Sequence, residues 1–259
     1  MNYKPTDEKV IMETITAEVW KLGPVVERFL SYRAAIPLAY EQIGMMLSLL
    51  ASRDEPVARF LDLGCGDGIL GAAVLGQYPS SCGVLMDFSE PMLVQARKNL
   101  NQYASQLTFL NADYSDPTWT ASVQSEAPFD AIVSGYSIHH QSDARKKRIY
   151  AEIFSLLKPG GWFVNVEHVA PASLQTTRLF EKHIIDSSYA LEVRAGGPKT
   201  YAQIAEEFHH RPDKEANILA PVEVQCDWLR EIGFEDVDCY CRIYELAVFG
   251  GLRPRQSIF

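Results

Sequence analysis

Residues 60–71, FLDLGCGDGILG, decide the fold of this 259-residue chain. Phe60, Leu61 and Leu63 make the apolar run of a buried strand, with Asp62 as its last polar member. Gly64, Gly66 and Gly68 then follow at alternate positions and form a turn almost free of side chains. Glycine reaches positive φ without penalty and lets a ligand lie directly against the backbone. The loop should open a helix and sit at the carboxyl end of a parallel strand, where open α/β sheets place their ligands.

The literal pattern G-x-G-x-x-G is present at Gly66, Gly68 and Gly71, and that spacing alone also marks dinucleotide sites. The charges around it point elsewhere. Asp62 precedes the first glycine, Asp67 lies inside the loop, and Asp87 ends the next apolar run, SCGVLMD (81–87). Asp67 would repel a pyrophosphate, whereas Asp87 stands where a carboxylate grips ribose hydroxyls, about 20 residues beyond the loop. An acidic, glycine-lined pocket suits a ribonucleoside with a positive charge. S-adenosylmethionine, with its sulfonium and ammonium groups, fits that description.

Strands and helices are expected to alternate from residue 58 onward. Strand 58–63 leads to helix 68–77, strand 82–87 to helix 90–103, and strands 106–111 and 128–134 to helix 142–157 and strand 161–168. Ser89 before Glu90-Pro91 is a good helix start. Such alternation implies right-handed crossovers and a mainly parallel sheet with helices on both faces. Residues 8–50 read as helices, from Val25, Val26, Phe29, Leu30, Ile36, Ala39, Tyr40, Ile43 and Leu47, which recur mostly at three- and four-residue steps. The stretch 171–220 is polar and helical and suggests a lid. A helix from Val222 to Ile232 and two closely joined, hence antiparallel, strands (235–241 and 243–250) complete the chain.

Composition narrows the function. The net charge of −9 argues against a nucleic-acid substrate, because such proteins displace counterions with a basic surface. The one dense basic run, Arg145-Lys146-Lys147-Arg148, reads as the solvated start of a helix whose apolar face is Ile149, Ile153, Leu156 and Leu157. No run of 18 apolar residues spans a membrane, and the start lacks a secretory pattern. The five cysteines are odd in number and irregularly spaced, which fits reduced thiols in the cytoplasm. Cys239 and Cys241 should point to one face of a strand, and no second pair completes a metal site.

Four motifs in order, LDLGCGDG (61–68), MDFSEPML (86–93), NADYSD (111–116) and LLKPGGWF (156–163), resemble those of class I S-adenosylmethionine-dependent methyltransferases. The resemblance implies one α/β domain: a doubly wound, mainly parallel seven-stranded Rossmann-like sheet with an antiparallel last strand. It divides the chain into an N-terminal helical cap (1–52), a cofactor-binding core (56–170), a lid (171–220) and a closing segment (221–259). It implies that Gly64, Gly66 and Gly68 pass under the methionine part of S-adenosylmethionine and that Asp62 helps hold its amino group. Asp87 would accept from the ribose, Phe88 and Met92 would sandwich the adenine, and Asp113 would take its amine beside Tyr114. Ser134 and Tyr136 would flank the methionine moiety. Tyr40, with Arg33, would close over the cofactor's carboxylate.

Methyl transfer mainly needs the acceptor aligned with the S–CH3 bond and water excluded. A general base helps when the acceptor must lose a proton. His139 and His140, in SGYSIHHQSD (134–143), are the candidates, since histidine titrates near neutrality. Glu167 and His168 end the fifth strand beside the presumed acceptor, and Arg211 in the lid would suit an acidic one. The expected partners are a small-molecule acceptor and, at most, a second copy of the chain, with no membrane and no metal. Two further readings share these features. FLSYRAAIPLAYEQIGMML (29–47), Glu167 and Arg211 are similar to carboxy-S-adenosylmethionine synthases, though that family has serine where this chain has Gly66. A non-catalytic adenosylmethionine-binding protein is the other.

Overall fold

The computed structural model describes residues 19–255, so the expected helix over 8–18 lies outside the described residues. Helices α1 (Gly23–Tyr32) and α2 (Ala39–Ala51) precede β1 (Arg59–Leu63). Then come α3 (Ile69–Gln77), β2 (Cys82–Asp87), α4 (Glu90–Asn99), β3 (Leu107–Asn111), β4 (Phe129–Gly135), α5 (Asp143–Leu156) and β5 (Leu157–His168). The chain closes with α6 (Leu174–Arg194), α7 (Tyr201–His209), α8 (Val222–Ile232), β6 (Glu235–Ile243) and β7 (Leu246–Leu252).

The seven strands form one sheet in the order β3-β2-β1-β4-β5-β7-β6. β1 to β5 pair in parallel, and β7 runs antiparallel to both its neighbours. Strand order reverses at β1, so the loops after β1 and β4 diverge and leave a crevice between them. β7 adds a less obvious feature. Its antiparallel sense brings its first residue, Leu246, beside His168 at the end of β5, so a strand start also reaches the crevice edge.

Burial on both faces explains why the central strands read as apolar runs. In β1, Leu61 and Leu63 join one core layer with Ile132, Phe163, Ile149 and Leu229. Phe60 joins the layer on the other face with Leu85, Val133, Leu70, Val74 and Leu93. Period-two alternation therefore assigns Asp62 to the Phe60 side, facing α3. Helix ends follow local chemistry: Ser89 caps α4, Ser142 caps α5, and Thr200 with Gln203 makes a capping box on α7. α6 and α7 build a third cluster of Phe180, Ile184, Ile204 and Phe208, which reaches the sheet at Leu246.

Two expectations are corrected here. Arg145 and Lys146 are buried, not solvated: Arg145 donates to the Tyr114 carbonyl and pairs with Glu152, while Lys146 bonds Asp143 and the Ile218 carbonyl. Only Lys147 and Arg148 of that run face solvent. The thiols of Cys239 and Cys241 point to opposite faces of β6. A bulge there pairs Cys239 with Phe249 and Cys241 with Val248, neighbours on β7, so the two thiols join different core layers. Helix α4 also ends earlier than the spacing suggests, at Asn99, and a 3-10 turn (Asn101–Gln106) follows.

Candidate active site

The loop after β1 is built on three left-handed glycines, Gly64, Gly66 and Gly68, at φ 68°, 53° and 84°. Its amides are tied to the end of β2: Gly64 and Cys65 both donate to the Met86 carbonyl, and Gly66 donates to Asp87 Oδ2 at 2.8 Å. Asp87 Oδ1 accepts from the Ser89 amide at 2.8 Å. Asp62 Oδ2 accepts from the Gly71 amide at 2.9 Å, while its Oδ1 is buried with no hydrogen-bond partner. Burial raises Asp62 to about 7 and Asp87 to about 6. Two acidic groups are thus held out of water against a backbone floor, a setting that stores affinity for a cation or a hydroxyl donor.

Three cavities meet above that floor. One, of ≈ 590 Å³ with its open mouth included, is lined by Asp62, Gly64, Gly66, Asp67 and Arg33, and Arg33 is ion-paired with Asp67. A second, of ≈ 410 Å³, lies on the other side of Gly66 and is walled by Asp87, Phe88 and Met92. The third and largest, ≈ 930 Å³, lies under α6 and α7 and is lined by His139, His140, His168, Phe180, Phe208 and Arg211. Tyr136 borders all three.

The histidine loop after β4 is fixed from below. His139 Nδ1 lies 2.5 Å from Glu167 Oε1, and Glu167 also accepts the His139 amide (3.0 Å) and the His168 amide (2.8 Å). A carboxylate with two amide donors is an acceptor, so His139 donates its Nδ1–H and keeps its Nε2 lone pair. His140 Nδ1 donates to the Ala216 carbonyl at 3.1 Å, which leaves its Nε2 as an acceptor too. The two ring centroids lie 4.0 Å apart with the planes tilted by 49°. Burial drives both below the ordinary histidine value, His140 down to about 3, so both are neutral at physiological pH. His168 makes a second, partly buried pair, Nε2 to Glu245 Oε2 at 2.9 Å. Arg211 stacks on Phe208 with 4.3 Å to the ring centroid and spends Nη1 on the Phe208 carbonyl.

Asp62, Gly64, Gly66, Asp87, Phe88, Met92, Tyr136, His139, His140, His168 and Arg211 therefore line one connected set of cavities. Others do not. Tyr40 is 86% exposed and points away, whereas Arg33 from the same expectation reaches the cavity. Glu167 is fully buried behind His139, not at the rim. A Cβ on Gly68 would strike Leu100 Cδ1 at 2.6 Å, so this glycine permits helix–strand packing. Ser134 donates to the Leu63 carbonyl (2.7 Å), Tyr114 bonds Ser137, and Asp113 is an exposed turn residue accepting from the Ser115 amide. Three residues that complete the site carry no local sequence signal: Asn217, which lines the histidine cavity and hydrogen-bonds the His139 ring, Gln42, which accepts from the Tyr136 phenol, and Glu245, the partner of His168. Each lies far along the chain from what it touches.

Residues 60–161 match the family model described as "Methyltransferase domain". The chain is 33% identical over 112 residues to an uncharacterized methyltransferase of Mycobacterium bovis, covering 43% of this chain and 51% of that protein. It is 27% identical over 225 residues to the carboxy-S-adenosyl-L-methionine synthase of Shewanella amazonensis, covering 83% of this chain and 84% of that one. The structure resembles an O-methyltransferase family protein from Burkholderia thailandensis with a TM-score of 0.62, at 15% identity over 87% of this chain and 59% of that one. The chain spans about half the length (51%) of the first of these relatives. The strand order and crevice are those of the Rossmann-like methyltransferase fold. The family match over residues 60–161 and the strand order agree on a methyltransferase domain carried on this fold.

Proposed function

We propose that the chain binds S-adenosylmethionine over the Gly64–Gly66 floor and methylates a small acceptor held in the histidine-lined cavity. One observation carries this reading: the two acidic, glycine-floored cavities and the large apolar cavity adjoin one another, with Tyr136 lining all three, Arg33 and Ile36 shared on one side and Trp20 and His140 on the other. The floor itself fits the cofactor. Asp62 presents an unpartnered buried oxygen, and a Cβ at Gly66 would enter open space with only Met92 Sδ, at 3.9 Å, within reach.

When bound, S-adenosylmethionine supplies an electrophilic methyl group on a good leaving group. The residues of the chain do the rest. Asp62 and Asp67 would hold the cofactor's ammonium and Arg33 its carboxylate, while Asp87 would accept from the ribose and Phe88 and Met92 would hold the adenine. His139 Nε2 and His140 Nε2 accept from the acceptor's proton-bearing atom, with Glu167 fixing the first ring and the Ala216 carbonyl the second. The lid residues Phe180 and Phe208 exclude water, which favours an in-line displacement. Arg211 faces the acceptor and favours an acidic one. The five unpaired cysteines fit a cytoplasmic setting.

Calorimetry with S-adenosylmethionine and with NAD tests the cofactor; saturation by NAD alone overturns the reading. Transfer of label from S-adenosylmethionine into a metabolite extract tests the reaction. A second reading, modification of the cofactor itself, is favoured by the synthase likeness that runs through four fifths of both chains. It predicts a carboxylated cofactor in the copurified ligand by mass spectrometry.

A further inference from the structure

Among the described residues Tyr136 is the one side chain common to all three cavities, and its backbone stands in the left-handed region at φ 49°. A bulky residue persists in that region only where its surroundings over-determine it. Two bonds do so here. The Tyr136 amide donates to the Val166 carbonyl at 2.8 Å, and the phenol donates to Gln42 Oε1 at 2.7 Å. Gln42 belongs to α2, outside the sheet, and is 1% exposed. Its other amide atom is also committed, Nε2 donating to the Pro37 carbonyl at 2.8 Å. With both ends engaged, Gln42 is a rigid post and not a swinging side chain. It borders none of the three cavities, and its side-chain bond toward the site goes to Tyr136.

We infer that Gln42 is a positioning residue: it locks Tyr136 as the partition between the two cofactor compartments and the acceptor cavity, and so makes docking of α2 a condition of cofactor binding. The inference rests on the proposed cofactor but needs no knowledge of the acceptor. Replacing Gln42 with leucine leaves a buried phenol without an acceptor, and the ring then leaves its place over the glycine floor. Tyr136→Phe removes the same bond with almost no change of shape. It serves as the second variant, should Q42L fold poorly.

The experiment is calorimetric titration of S-adenosylmethionine into the full-length wild type, Q42L, Y136F and the double variant, with the melting temperature of each unliganded protein measured alongside. Each single variant should bind about tenfold more weakly, the effect of one lost buried hydrogen bond. The double variant should bind no more weakly than the worse single, because both remove one linkage. Wild-type affinity in folded Q42L and Y136F, with only the melting temperature lowered, would make Gln42 a purely structural residue and overturn the inference. So would additive losses in the double variant. Absence of binding by the wild type would instead sink the cofactor assignment itself.

Discussion

The His139 ring and the Glu167 carboxylate are locked as a pair, 2.5 Å apart and 28 residues apart in sequence, the carboxylate fully buried and the ring 6% exposed. One carboxylate holds both the ring and the loop that carries it, since Oε2 takes the His139 amide. Glu167→Gln keeps the size but offers only one acceptor atom, and its amide group opposes the remaining donor. Methyl transfer should fall about 100-fold, the lower range for a disabled general base, with cofactor affinity nearly unchanged. His139→Ala should do at least as much. Label transfer and calorimetry on the same preparations check it, and a wild-type rate in both variants would remove His139 from the chemistry.

Asp62 sets function against stability. Its folded value of about 7 lies above the ordinary 3.8, chiefly through burial, so the fold favours the protonated acid. Its contribution to stability is full below the unfolded value and is lost as pH rises through about 7. Asp62→Asn keeps an acceptor for Gly71 and removes the charge. The unliganded variant should melt on the order of 5 °C higher at pH 8, with a gain that shrinks toward pH 4, while S-adenosylmethionine binding is lost. A variant that melts no higher than wild type at pH 8 would show that the carboxylate is not strained in the fold.

How much of this was legible in sequence follows from physical range. Burial on both faces writes itself into a strand as an apolar run, so β1, β2 and β4 fall within about a residue of their expected limits. The glycine loop and Asp87 are local too, because turn geometry and strand end lie within a few residues. Side-chain direction is not local. Tyr40 and Arg33 sit on neighbouring turns, yet one is exposed and the other reaches the cavity. One bulge reverses the expected facing of Cys239 and Cys241. Glu245 reaches His168 only because β7 runs antiparallel and begins at the crevice edge.

Gly66 and Gly68 look equivalent in sequence and should behave as opposites. A methyl on Gly66 projects into open cavity, so Gly66→Ala should carry only the left-handed backbone penalty, about 1–2 kcal/mol, yet block the cofactor. A methyl on Gly68 meets Leu100 at 2.6 Å inside the core. Gly68→Ala should lower the melting temperature further and leave the affinity of the folded fraction intact. Chemical denaturation and calorimetry separate the two. Equal losses of affinity would mean that the whole loop, not the Gly66 floor, carries recognition.

Arg211 offers the sharpest test of acceptor chemistry. Its guanidinium carbon lies over the Phe208 ring, 4.3 Å from the centroid, and the group is tethered by the Phe208 carbonyl, with Asp213 Oδ2 3.3 Å from Nε. A preset planar fork is suited to a carboxylate, and a lysine ammonium reproduces its charge but not its geometry. Arg211→Met should raise the KM for an acidic acceptor about 10- to 100-fold, as expected for a charge-assisted hydrogen bond, and leave S-adenosylmethionine affinity unchanged. Arg211→Lys should recover only part of the loss. Competition by simple apolar carboxylates should weaken in parallel in R211M. An unaltered KM with undiminished carboxylate inhibition would assign the acceptor's recognition to the histidines alone.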